Sequence, residues 1–352
     1  MAPILRTVLA VLVVSVSAAA AAADEIAATA ARLRERALAI DHAYELARAL
    51  ALEVGPRLAG SDGDRRAVAW AERALAQAGL AAVRREAVAV PRWERGEAAA
   101  RLAGPAAPLV VAALGGSVGT PEAGLEAEVV RFPSLAALAA VPPIPAAALA
   151  LADADLLAAR LETAAASGEG VRVWLRLTSR LLPDAESANL LAEVRGRERP
   201  EEIVLLGAHL DSWDLGPGAL DDAAGVGIVV AAARLLAELP RHVLAVEADH
   251  GCAAVYQLSA AVPAARLPVV EAIAELLAPL GVGRGGGEVE GGSDLGPLRE
   301  AGVPILALDQ DSTRYFDVHH TADDTADKLD PHSLRQVVAA YAVAAWTAAE
   351  ME

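Results

Sequence analysis

The sequence predicts an α/β protein: a mostly parallel sheet flanked by helices, with a shortened inserted subdomain. Three observations carry this prediction. The runs "EEIVLLGAHL" (201–210), "HVLAVEAD" (242–249) and "VPILALD" (303–309) are continuously apolar, as strands buried on both faces are, rather than alternating. Longer helical stretches separate them, giving the strand–helix order of a parallel sheet. His209, Asp249 and Asp309 fall at the C-terminal ends of these runs, where open α/β sheets build their sites.

In chain order, Arg6 precedes the apolar run Thr7 to Ser17, and Ala21-Ala22-Ala23 offers a small-residue cleavage site before Asp24. Residues 1–23 therefore read as a cleaved signal peptide, which implies a periplasmic or secreted protein. No other segment reads as a membrane-spanning helix. Residues 27–54 and 64–79 read as helices, the second following the turn "GSDGD" and ending at Gly79. Residues 82–91 read as a strand closed by Pro91. From 94 to 185 the pattern weakens, with Ala/Pro/Gly-rich pieces between short strands at 108–113 and 171–177. Beyond "EEIVLLGAHL", residues 222–239 read as a helix stopped at Pro240, and further helices are expected over 263–280, 294–301 and 331–350. The organisation expected is a signal peptide at 1–23, an α/β body from 24–93 with 186–352, and an inserted subdomain at 94–185.

The formal charge of −17, one unit more negative once Arg6 is removed, argues against nucleic acid as a partner. Cys252 is the single cysteine, so no internal disulfide can form, and the thiol reads as packing. Hydrophobic residues make up 55% of the chain but aromatics only 3%. Alanine contributes much of that fraction and buries little area, so Leu, Val and Ile must carry the packing.

The chemistry concentrates in "GAHLDSWDLGPGALDDAAGVG" (207–227). Charged groups at the end of a buried strand are costly to desolvate unless something compensates them. A divalent cation does so where imidazole and carboxylates converge. His209 and Asp211 point to one face of an extended chain, so the carboxylate can steady the imidazole. Asp222 reads as a helix cap, and Asp221 as a ligand. In "VEADHG", Glu247 and Asp249 share a face and His250 follows. In "YFDVHHTADDTADKLDP" (315–331), an extended chain would point His319 and His320 opposite ways, so that one at most faces a given metal. Asp323, Asp324 and Asp327 read as caps of turns and helix starts at the surface. Other motifs fail: Gly225-Val226-Gly227 lacks a third glycine, "GGSDL" is no nucleophile elbow, and "GVGRGGG" lacks the following Lys-Ser/Thr of a phosphate loop. What remains is a metal site.

With these residues, the chain resembles the co-catalytic zinc exopeptidase family of bacterial aminopeptidases, nearest its carboxypeptidase Q (plasma glutamate carboxypeptidase) group. "GAHLDSWDLGPGALDDAAG" together with "YFDVHHTADDT" carries the resemblance, and "GPRLAGSDGD", "VPRWERGEAA" and "LLPDAESANLLAEVRG" extend it. The resemblance implies that His209 and Asp249 hold a first zinc, that Asp221 bridges to a second, and that His320 holds the second. Asp211 falls behind the first histidine as the supporting catalytic carboxylate. His319, His250 and Asp294 are the groups that would support a ligand or face substrate. A metal-activated water would attack the peptide carbonyl.

The resemblance also marks a gap. Family members carry a strand ending in a Glu-Glu pair, general base then zinc ligand, before the strand that bears the next Asp. Here "AARLLAELP" runs straight into "RHVLAVEAD", and Glu238 stands alone. The middle subdomain is shortened as well. One tight zinc is therefore expected, with two ligands left for the second. Two function classes follow: an exported zinc exopeptidase acting on dipeptides or the terminal residues of short peptides, or an impaired relative that binds metal or peptide ends. A homodimer is the assembly open to it.

Overall fold

The computed structural model describes residues 24–351 apart from 105–106, 132–143, 196–202, 238–245, 287–288 and 290–294. The signal-peptide expectation, Glu238, the Pro240–Arg241 junction and Asp294 lie outside the described residues. The chain divides into two compact units, one of residues up to Val88 together with those from Ser187 onward, the other Ala89–Glu186.

The first unit opens with helix α1 (24–38), which buries Ala30, Leu33 and Ala37 at i, i+3, i+7 spacing. The single helix expected over 27–54 is interrupted here. The chain turns at 39–41, then continues as α2 (His42–Ala49) and a π-helical turn (Leu50–Val54). Asp41 at that turn is held by the Arg335 guanidinium at 2.6 and 3.0 Å, a long-range contact that local periodicity does not show. Helix α3 (Asp62–Gln77) starts where "GSDGD" places it, because the Ser61 hydroxyl accepts the Asp64 N–H at 3.2 Å. Strand β1 (Ala81–Glu94) then runs through Pro91 instead of stopping there. Among the described strands it pairs with β8 (Arg180–Glu193) alone. A two-stranded ribbon leaves one edge of each strand unladdered, where a residue without an N–H costs nothing.

In sequence, the second unit runs from the later part of β1 to the first part of β8. β2 (Ala98–Leu102), β3 (Pro108–Leu109), β5 (Leu125–Glu128) and β7 (Arg172–Leu177) form an antiparallel sheet in the order β3-β2-β7-β5. β4 (Val111–Ala113) pairs with β6 (Ala147–Leu149), and helix α4 (Leu151–Ser167) follows. One buried cluster of its described residues is Ala100, Leu102 and Leu109, backed by partly buried Val173 and Leu175, and Trp93, Ala113 and Leu177 are buried as well.

The first unit resumes with β9 (Leu206–Gly207), helix α5 (Ala224–Ala237) and β10 (Val246–Glu247), and β9 and β10 are parallel. Strand β11 (Val255–Ala261) was not expected from the sequence. It pairs in parallel with β12 (Gly283–Arg284) and antiparallel with β13 (Ile305–Gln310). The described pairings of this unit are thus mixed, where a mostly parallel sheet was expected. The expected 263–280 helix consists of a 3₁₀ turn, α6 (Leu267–Leu277) and a second 3₁₀ turn, and that of 294–301 is the short α7 (Gly296–Glu300). After α8 (Tyr315–Val318), the chain ends in α9 (Pro331–Glu350). α9 begins at Asp330, whose carboxylate accepts the N–H groups of His332 and Ser333.

The core gathers α2, α5, α6 and α9 around Leu50, Ile228, Leu258, Ile273 and Tyr341. Alanine is abundant in it: Ala339, Ala340, Ala342, Ala344 and Ala345 of α9 are fully buried. Small side chains add little area each but let helix backbones approach closely, which the alanine-rich composition did not show by itself. Among the described residues no helix is long and apolar enough to cross a membrane.

Candidate metal centre

Parallel register sets the first part of the site. Leu206 lies opposite Val246 and Gly207 opposite Glu247, and the Ala248 N–H donates to the Gly207 carbonyl at 2.9 Å. His209 and Asp249 each follow their strand by two residues, so they emerge side by side at the carboxyl ends, with His209 Nε2 3.4 Å from Asp249 Oδ1. Asp211 Oδ1 stands 3.4 Å from His209 Nδ1. A carboxylate there favours a proton on Nδ1 and leaves Nε2 as the atom that faces Asp221 and Asp249.

The loop from Leu210 to Leu220 returns the chain to the start of α5. Gly218 sits in the left-handed region at φ +58°, and a Cβ there would collide with Ser212 and the Asp221 carbonyl, so only glycine fits. Asp221 and Asp222, joined by a cis peptide, are both buried. Asp221 Oδ1 is 3.0 Å from His209 Nε2, while its Oδ2 is 3.2 Å from His320 Nε2 and 3.6 Å from His319 Nε2. One carboxylate therefore presents its two oxygens to two groups of imidazoles. Asp222 is occupied differently: Oδ1 accepts the Gly225 N–H at 2.9 Å and Oδ2 the His209 N–H at 3.1 Å, so it caps α5 and ties it to the strand.

The sequence reading of the two histidines is corrected here. They do not point opposite ways. His319 follows the last residue of α8 and His320 takes φ +61°, so the chain is not extended. The rings stack with centroids 3.5 Å apart and both Nε2 atoms turn to Asp221. Asp324 is also not a surface cap. It is 2% exposed and accepts the Leu220 and Asp221 N–H groups at 2.6 and 3.0 Å, fixing the backbone that carries Asp221. Asp323 and Asp327 are exposed, as expected. His250 is exposed and stands outside both groups of ligand-bearing side chains among the described residues.

Two residues the sequence reading passed over complete the surroundings. Arg57 is fully buried beneath the loop, and burial lowers its guanidinium to about 10, against the pull of Asp222, Asp211, Asp324 and Asp221. Tyr315 is 7% exposed and packs on His319 at 4.7 Å; burial and then the nearby aspartates push its phenol up.

The electrostatics ask for a cation. Burial pulls the His209 imidazole down, but hydrogen bonds with Asp211, Asp221 and Asp249 outweigh it and hold the ring well above its ordinary value. Burial would raise the Asp221 carboxyl, yet His209 keeps it below the usual range. Asp222, wholly buried, is pushed well above that range. The donor set also fits zinc in size. Bonds of about 2.0–2.2 Å in a tetrahedron put ligand atoms about 3.3 Å apart, and the His209–Asp221, His209–Asp249 and His320–Asp221 separations are 3.0, 3.4 and 3.2 Å. Ligand-bearing atoms also converge in the set His209, Asp222 and Asp249. Asp222 is the poorer ligand, because both its oxygens already accept backbone N–H groups and burial favours its neutral form. In Asp324→Asn one oxygen becomes an N–H₂ facing an N–H donor, so Asp221 should shift. Metal affinity is expected to drop about 10- to 100-fold, the usual cost of losing a group that supports a ligand, as measured by competition with a chromophoric chelator.

Carboxylates and imidazoles that converge beside the strand ends of an α/β frame define a site able to hold a divalent metal. Comparison with known proteins gives the family. Residues 189–248 match the model of peptidase family M28. The crystal structure of a peptidase M28 precursor from Shewanella amazonensis SB2B superposes with a TM-score of 0.85 at 33% identity, covering 93% of this chain and 97% of that one. Carboxypeptidase Q from Rattus norvegicus is 28% identical over 411 residues, covering 89% of this chain and 86% of the relative. A zinc aminopeptidase from Bacillus subtilis shares the fold, with a TM-score of 0.60 at 17% identity over 86% of this chain and 93% of that one. The chain belongs to peptidase family M28, and it is a metallo-exopeptidase by that membership.

Proposed function

We propose that the protein is an exported, zinc-dependent exopeptidase that hydrolyses dipeptides or the terminal residues of short peptides. The observation that carries this reading is Asp221, with one oxygen on His209 and the other on His320. His209, Asp221 and Asp249 would hold one zinc, and Asp221 with His320 would contribute to a second. When bound, zinc supplies Lewis-acid polarisation of the peptide carbonyl and lowers the pKa of water. The chain's own residues do the rest: Asp211 keeps the His209 proton on Nδ1, Asp324 and Arg57 hold the ligand loop, and the half-exposed His320 leaves the site open to a peptide end.

The body from 24–93 with 186–352 is read as the peptidase domain and 94–185 as an insertion. The parallel β9–β10 and β11–β12 pairs support a largely parallel sheet. Export rests on residues 1–23, and mass spectrometry of the exported protein should find an N-terminus near Asp24; retention of Arg6 would reject it. Sedimentation tests assembly as a homodimer.

One observation favours the second reading, a relative that holds metal or peptide ends with weak turnover. Among the described residues, both ligand-bearing groups consist of Asp and His alone, with no glutamate to take a proton. A positioned general base contributes about 100- to 10,000-fold. Zinc stoichiometry measured beside hydrolysis of dipeptides and aminoacyl-anilides decides between the two. His209→Ala is expected to remove the first zinc and the hydrolysis together. Unchanged zinc content in that variant overturns the assignment.

A further inference from the structure

We propose that His319 is a metal ligand, and that His319, His320 and Asp221 together form a second, two-histidine seat for a transition-metal ion such as zinc. The inference rests on the metallopeptidase reading above and adds a ligand to it.

Three features of the local chain converge. First, His320 stands at φ +61°, one of two non-glycine residues with positive φ among the described residues. A left-handed backbone is disfavoured for a side chain with a Cβ, and such outliers persist where surrounding structure holds them. Its effect is to bring consecutive imidazoles to one side, stacked at 26° and 3.5 Å. Second, the distances suit one ion. His319 and His320 Nε2 lie 3.6 and 3.2 Å from the same oxygen, Asp221 Oδ2, and tetrahedral zinc needs about 3.3 Å between ligand atoms. Third, both rings are placed by their neighbours. His319 packs on Tyr315 and Phe316, its N–H donates to the Tyr315 carbonyl at 2.9 Å, and the His320 ring meets Trp213 edge-on at 5.3 Å.

Chemically the set is sufficient. Two neutral imidazoles and one carboxylate are three protein ligands, the number that holds zinc with an open fourth position. His319 and His320 retain 26% and 47% of their side-chain exposure against 7% for Asp221, so the open position faces solvent. The second imidazole takes the ligand place for which the sequence offers no Glu-Glu pair. His319 therefore raises the ligands of the second seat from two to three, and both seats fill.

The test is metal binding itself. Metal-free protein is titrated with cobalt(II), following the ligand-field bands, and with zinc, measuring bound metal by mass spectrometry. The full-length chain is expected to take up two ions, and His319→Ala one. The second ion should weaken by more than the roughly 10- to 100-fold that loss of a supporting partner costs. X-ray absorption of the two-zinc form should count three histidines over two metals. The metal-free His319→Ala protein should unfold at the same temperature as the metal-free parent, which separates ligand loss from misfolding. His250→Ala should still bind two ions. One ion on the parent chain, two tight ions on His319→Ala, or a loss of only about 10-fold would each overturn the proposal. These results differ from failure of the underlying reading, in which the parent binds no metal or His209→Ala leaves binding untouched.

Discussion

Arg57→Met is expected to destabilise the protein by about 3–5 kcal/mol, the cost of removing one partner from a buried charged network. The guanidinium donates to the carbonyls of Leu210 at 2.6 Å, Gly218 at 2.8 Å and Gly55 at 3.4 Å, and to that of Pro217; the Arg57 backbone N–H, which any residue keeps, separately donates to the Ser212 hydroxyl at 3.2 Å. Methionine fills much of the volume but leaves these carbonyls without donors. It also removes the positive charge beside Asp211, Asp221, Asp222 and Asp324. At about 10 the group stays protonated throughout the neutral range, so the loss should be the same at pH 6 and pH 8. Lysine should restore only part, because an ammonium cannot reproduce the planar fork. Urea unfolding of the three proteins measures this, and a change under about 1 kcal/mol in the methionine variant would contradict a clamp role.

Asp221→Ala is expected to empty both metal seats and to lower any peptide hydrolysis on the order of 1,000-fold, the scale on which preorganised electrostatic stabilisation acts. No other ligand variant should do this. His209→Ala affects the side facing Asp221 Oδ1, and His320→Ala the side facing Oδ2. Folding should survive, because the loop backbone is held through the Asp221 N–H and by Arg57, neither of which needs this carboxylate. Bound zinc per chain across the three variants is the measurement. An Asp221→Ala protein that retains one tight zinc would show that the two groups do not share a ligand.

His209 and Asp249 could be picked out from sequence because polar residues ending apolar runs are costly, so their presence needs a reason. Asp221 followed from its place beside glycines just before a helix. Other parts of the site were invisible for identifiable causes. An arginine in "GPRLAGS" looks like any surface arginine, and only the return of residues 210–218 over it makes Arg57 a buried clamp. Asp323, Asp324 and Asp327 look alike in a polar run, and one turn of chain decides that the middle one is buried against the Leu220 and Asp221 amides. The side on which His319 and His320 emerge depends on a left-handed residue that carries no glycine to announce it. The direction of the strands was no easier. β11 and β13 run antiparallel, and apolar content alone does not fix strand sense.

The Arg57 clamp also has a consequence for how the molecule is made. Apart from that of Gly55, the carbonyls it holds arrive 153 to 161 residues later in synthesis, after the whole of the second unit has been built. Closing a loop of that length costs roughly 4–5 kcal/mol of chain entropy by the (3/2)RT ln n rule, before any contact returns it. Until Gly218 has emerged, the guanidinium lacks the carbonyls of Leu210, Pro217 and Gly218 that hold it in the folded chain. The side chains that would hold metal all follow Gly207, so neither seat can form until the chain has been made well past the second unit.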